Sequence, residues 1–180
     1  MINNLVLRRL RYALNLREES MADIFALSGH KITKFSISCL LKKDEDEAFV
    51  ECTDVVLELF LDGLIIKNRG VRENSTAQPV KNESEVVRLN NNIIMKKLRI
   101  ALEFKDDDML DVMDKAGFRF SKTELTALFR KRGSRNFKAC GDQLLRNFLI
   151  GLCEKFRPSE KKEATVPVID EDSPWNKTKK

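Results

Sequence analysis

The sequence predicts an all-α protein made by tandem duplication of a four-helix unit, the two copies packed as a pseudo-twofold pair. Three observations lead there. Sliding the chain against itself by 88 residues aligns 3–64 with 91–152 without a gap, and 20 of those 62 positions are identical. Average composition gives only about one identity in sixteen by chance. The apolar positions shared by both copies recur at helical spacing. Seven glycines and four prolines in 180 residues are few for a turn-rich β fold.

Each element follows from local chemistry. In the first helix Leu7, Leu10 and Leu14 form one stripe, with Arg8 and Arg9 directed elsewhere. The Asn pairs that open the copies, Asn3-Asn4 and Asn91-Asn92, are expected to cap it, since a short amide accepts from the first free backbone N–H groups. A second helix starts in acid, Glu18-Glu19 or Asp106-Asp107-Asp108, complementing the helix dipole, and stops near Gly29 or Gly117. The third opens at Thr33 in copy one and at Ser121-Lys-Thr-Glu124, a capping-box pattern, in copy two. The fourth is expected to carry Phe49, Cys52, Val56, Phe60 and Gly63, matched by Phe137, Cys140, Leu144, Phe148 and Gly151. The resulting organisation is copy one over 1–66, a polar linker over 67–90, copy two over 91–156 and a flexible tail over 157–180 that holds Trp175. About 62 residues make a marginal independent core, which favours two halves covering each other's apolar faces.

The paired "NNxxxxxLRxAL" openings, and the segments "FVECTDVVLELFLDGL" and "FKACGDQLLRNFLIGL", resemble the YehS-like family of bacterial proteins of unknown function. The resemblance covers about residues 3–155. It implies a duplicated, mostly helical, cytoplasmic bacterial protein and implies no activity.

Composition narrows the function classes. No apolar run approaches the roughly 18 residues needed to span a bilayer, and arginines interrupt the apolar pattern at the start, which argues against a secretory signal. Cys39, Cys52, Cys140 and Cys153 form no CxxC pair and lack companion histidines, so they read as reduced, buried thiols rather than zinc ligands. No cofactor is expected: the chain has neither a phosphate-binding Walker loop nor a GxGxxG motif. The single histidine, His30, is replaced by Phe118 in copy two and has no neighbouring nucleophile to activate. Asp106, Asp107 and Asp108 are consecutive on a helix and point in different directions, which suits dipole complementation rather than a metal. The reading is therefore non-enzymatic.

Two further features carry expectations. Arg11 with Asp54, repeated as Arg99 with Asp142, suggests a structural ion pair between first and fourth helices. Residues 21–43 and 109–131 have the outline of a helix-turn-helix, but Phe25 and Met113 occupy the site where such motifs prefer a small residue.

The copies differ most after the third helix. Copy one reads "KKDEDEAF" and copy two "RKRGSRNF", so equivalent loops carry opposite charge. Residues 1–66 hold 8 basic and 11 acidic side chains, net −3, whereas 91–157 hold 15 and 9, net +6. In one reading Lys122, Arg130, Lys131, Arg132, Arg135 and Lys138 form a basic patch for the phosphates of a nucleic acid. In the alternative, the acidic loop of Asp44, Glu45, Asp46 and Glu47 docks on the basic loop. Within one chain this closes the pseudo-twofold unit; between chains it gives a homodimer or a contact with another protein partner.

Overall fold

A computed structural model describes residues 2–70 and 89–158, with the backbone alone described for Ile2. Among these residues there are eight α-helices and no strand. Copy one has α1 (Ile2–Ala13), α2 (Glu18–Leu27), α3 (Lys34–Leu41) and α4 (Asp54–Arg69). Copy two has α5 (Asn91–Ala101), α6 (Asp106–Lys115), α7 (Lys122–Leu128) and α8 (Asp142–Phe156).

The helix starts obey the local rules. Thr33 accepts from Ser36 N and caps α3. Ser121 and Glu124 form the reciprocal capping box of α7. α2 begins on Glu18-Glu19 and α6 on three aspartates. Both end where a glycine turns left-handed, Gly29 at φ +82° and Gly117 at +71°.

The fourth helix starts later than its apolar pattern suggests. Thr53 accepts from Val56 N, so α4 begins at Asp54, and Phe49 and Cys52 lie in the preceding extended segment. It also runs further: Lys67, Asn68 and Arg69 are helical rather than linker. Asn68 Nδ2 donates to Ala101 O at 2.8 Å, and Arg69 lies 3.7 Å from Glu103. Of the expected linker, 71–88 lie outside the described residues, as do 159–180 of the tail with Trp175.

The Asn pairs do not cap their helices. They sit inside α1 and α5 and hold the extended segment before the fourth helix. Asn3 Nδ2 donates to Cys52 O (3.1 Å) and Asp54 Oδ1 (2.8 Å). Asn4 Nδ2 donates to Leu40 O (2.9 Å) and Val50 O (2.8 Å), while its Oδ1 accepts from Cys52 N (3.0 Å). Copy two repeats all five bonds, through Asn91 to Cys140 O and Asp142, and through Asn92 to Leu128 O, Lys138 O and Cys140 N. An amide has two donors and an acceptor with two lone pairs, which suits it to satisfying a segment that cannot pair with another strand.

The copies exchange partners. α4 packs along α5 and α1 along α8, while α2 and α6 cover α4 and α8 of their own copies. Buried side chains from both copies, among them Leu7, Phe25, Phe60, Leu98, Val112 and Phe148, belong to one continuous core. Gly63 and Gly151 make the α2–α4 and α6–α8 crossings possible. A β-carbon there would lie inside contact distance of the Ile24 or Val112 carbonyl oxygen.

Candidate nucleic-acid interface

The two oppositely charged loops are built on one scaffold. In copy two Ser134 N donates to Lys131 O, Phe137 N to Ser134 O and Lys138 N to Ala127 O, at 3.0–3.1 Å. In copy one the equivalent groups make the same bonds: Asp46 N to Lys43 O, Phe49 N to Asp46 O and Val50 N to Cys39 O. The Asn pairs then clamp the C-terminal end of each loop through Val50 O and Lys138 O. Copy two adds two left-handed residues, Gly133 at φ +84° and Asn136 at +64°.

The six expected basic residues divide into two groups. Lys122 is held by Asp107 at 2.9 Å and Lys138 by Glu124 at 3.2 Å. The Asp107 bond lifts the Lys122 pKa, and the Ser121 backbone N–H, its hydroxyl and then Lys138 lower that of Glu124. Both pairs are exposed and contribute little stability. Arg130, Lys131, Arg132 and Arg135 are exposed on the loop, and no acidic side chain among the described residues pairs with them. Arg130 Nη1 makes only a long contact with Arg135 O, 3.5 Å.

The acidic loop folds onto its own copy and not onto the basic loop of copy two. Asp44 lies 3.9 Å from Arg8, which also donates to Lys42 O. Asp46 takes Lys42 at 2.9 Å and the Ala48 N–H at 3.0 Å, and the lysine bond lowers its pKa. Asp44 and Asp46 thus pair within their own copy rather than closing the pseudo-twofold unit. Glu45 and Glu47 are exposed.

Neither expected ion pair between first and fourth helices forms. Asp54 accepts from Asn3 and from Leu89 N (3.1 Å), and Asp142 accepts from Asn91 at 2.7 Å. Arg11 is exposed, eight residues or about 12 Å along α1 from Asn3. Arg99 instead meets Asp106 at 2.6 Å, donates to Phe104 O and lies over the Phe129 ring at 5.0 Å.

The remaining candidates are engaged in local packing and pairing. His30 is half-buried against Phe25, ring centroids 5.8 Å apart. Asp106, Asp107 and Asp108 each face a different cation, Arg99, Lys122 and Lys155. Among the described residues no group of three His, Cys, Asp or Glu side chains is placed to hold a metal ion. All four cysteines are free and buried, and burial, reinforced by Asp54 and Asp142, pushes the Cys52 and Cys140 thiols up to about 12. In the helix-turn-helix outline, Phe25 and Met113 are fully buried. The close helix approach is made by Gly63 and Gly151 against α2 and α6, not between the helices of the motif.

One site escaped the sequence reading. At the α4–α5 seam Lys97 lies 3.2 Å from Glu58 and also pairs with Asp62. Comparing position 58 with 146 and 9 with 97 was the signal available, since Glu58 becomes Arg146 while Arg9 and Lys97 are both basic.

A family model described as "Protein of unknown function (DUF1456)" matches the chain twice, over residues 3–70 and 91–157. The chain is similar to the Uncharacterized protein YehS of Escherichia coli (strain K12), 41% identical over 156 residues, 86% of this chain and 96% of that protein. No solved structure matches it significantly. Among the described residues no helix is long and apolar enough to cross a membrane.

Proposed function

We propose that this chain, which belongs to the DUF1456 family, acts by binding rather than catalysis and takes nucleic-acid phosphates on the basic loop of its second copy. One observation carries the reading. Arg130, Lys131, Arg132 and Arg135 stand exposed on a hydrogen-bonded loop without acidic partners among the described residues, while in the same loop of copy one Asp44 and Asp46 each have a cation of their own copy beside them. A rigid loop of unpaired cations binds phosphate by releasing condensed counterions. Arginine adds a planar donor fork that matches phosphate oxygens. The loop offers no exposed aromatic for stacking on single strands, so backbone contact is favoured over base recognition.

The test is fluorescence anisotropy of labelled duplex DNA, single-stranded DNA and structured RNA at two salt concentrations. The protein is compared with a variant carrying Glu at 130, 131, 132 and 135. Binding that weakens with salt and disappears in the variant supports the reading; no binding at low salt refutes it.

A second reading draws on copy one. Phe35 is 75% exposed on α3 and Val50 is 49% exposed beside the acidic loop. Copy two carries Thr123 and Lys138 at those places. Apolar side chains rimmed by acid suit a protein partner, and sedimentation of the chain at increasing concentration tests the version in which that partner is a second copy.

A further inference from the structure

The pseudo-twofold relation pairs each seam between the copies with a counterpart of different charge. Across the α4–α5 seam Lys97 is bracketed by Glu58 and Asp62, and Glu58 is only 8% exposed. At the α1–α8 seam the 88-residue offset puts Arg9 at the place of Lys97, Arg146 at that of Glu58 and Ile150 at that of Asp62. The salt-bridged cluster becomes two arginines and an isoleucine.

The backbone supports the equivalence. α1 packs along α8 as α5 does along α4, and the Cys153 thiol lies 3.9 Å from Arg9 O. The Arg9 side chain itself lies against the Cys153 thiol, and Arg146 is seven residues, about two turns, nearer the N-terminus on the same face of α8. Both arginines are exposed, and no acidic side chain among the described residues pairs with either. Arg157 extends the cationic seam, its guanidinium 4.9 Å over the Tyr12 ring. The basic loop leads through Cys140 directly into α8, where Arg146 lies four residues, about 6 Å, beyond Asp142.

We infer that Arg9 and Arg146 form a second phosphate contact, a two-arginine clamp across the α1–α8 seam that takes a backbone phosphate of the nucleic acid held by the basic loop. The inference rests on the nucleic-acid reading of that loop. Two like charges held across a seam are mutually unfavourable, and an anion between them removes the repulsion while presenting oxygens to both guanidinium forks. The site has no counterpart at the other seam, where the corresponding cation, Lys97, is already paired with Glu58 and Asp62. Binding is therefore asymmetric in a chain whose fold is nearly symmetric.

The variant Arg146→Glu tests this because it rebuilds at α1–α8 the pairing seen between Lys97 and Glu58. It is expected to keep or raise the melting temperature and to weaken binding of a labelled duplex about tenfold. The slope of log affinity against log salt is expected to fall by about one, since each phosphate contact contributes roughly 0.9. Arg146→Gln, which removes the charge without supplying a partner, is expected to have the smaller effect on both affinity and slope. If Arg146→Glu binds with the wild-type affinity and slope while the loop variant does not bind, the clamp is wrong and the loop reading stands. If the wild-type protein binds no nucleic acid at low salt, both fall. A lowered melting temperature in Arg146→Glu, with Arg146→Gln unaffected in binding, also overturns the clamp, because the introduced carboxylate would then have failed to meet Arg9.

Discussion

The side-chain oxygen of Asn4 accepts the backbone N–H of Cys52 at 3.0 Å, and 88 residues later Asn92 accepts that of Cys140 at 2.9 Å. With the amide groups donating to two carbonyls each, these side chains do for an irregular segment what a neighbouring strand does in a sheet. The fourth helix of each copy, and the charged loop before it, are positioned by that bond.

Replacing Asn4 with Ala leaves the Leu40 and Val50 carbonyls and the Cys52 N–H without their partner. Asn4 is 0% exposed, so water is a poor substitute. A loss of about 3 kcal/mol or more is expected, at roughly 1–3 kcal/mol for each buried unsatisfied group. Asn92, half-buried, is expected to cost less. Urea denaturation of the two variants measures the difference; equal losses would contradict the role of burial.

Gly63→Ala and Gly151→Ala place a methyl group against the Ile24 and Val112 carbonyl oxygens. Overpacking of this kind costs roughly 1–3 kcal/mol, sometimes more. Each variant is expected to unfold at lower urea, whereas alanine at an ordinary helical glycine is stabilising. A midpoint at or above that of the wild type would show that α2 and α6 can move away without loss.

Lys97→Met removes the cation shared by Glu58 and Asp62 at the seam. A destabilisation of about 1–3 kcal/mol is expected, below the roughly 3–5 kcal/mol for breaking a fully buried pair because Asp62 is partly exposed. Thermal unfolding at neutral pH reads it, and a drop much smaller than about 1 kcal/mol would mean that solvent already screens the cluster.

Burial holds the Cys52 and Cys140 pKa at about 12, against an ordinary value of 9.0. Between these values the unfolded chain has lost thiol protons that the folded chain keeps, so stability falls as pH rises above 9 and the thiol contribution is intact below it. Denaturation at about pH 8 and about pH 10, on either side of the ordinary thiol pKa, is expected to show a decline that Cys52→Ser with Cys140→Ser reduces. An identical decline in the double variant would assign it to other groups.

What could be read in advance depended on the reach of each interaction. Thr33, Ser121 with Glu124, and the acidic starts of α2 and α6 act over three residues, and the sequence identified each of them. The opposite charges of the two loops emerged from aligning the chain with itself. The Asn pairs read as caps because an Asn before a leucine stripe looks locally like one, whereas their partners lie 36 to 51 residues away. Arg11 and Asp54 recur in both copies, but recurrence does not give distance. Asp54 is occupied by Asn3 and Leu89, and Arg99 turns to Asp106 in the adjoining turn. The swapped packing of α1 on α8 and α4 on α5 lets each copy of about 62 residues cover apolar surface of the other, and charge differences at the seams are invisible until the topology is known.

The shared core is the central claim, and pulsed alkylation along a urea gradient tests it most directly. Cys52 reports on copy one and Cys140 on copy two, both buried in the native state, and mass spectrometry separates their labelling. If the copies form one cooperative unit, the two thiols become reactive at the same urea concentration, and Gly63→Ala shifts both midpoints together. Separate midpoints, with Gly63→Ala moving only that of Cys52, would show two independently folding copies and contradict the account.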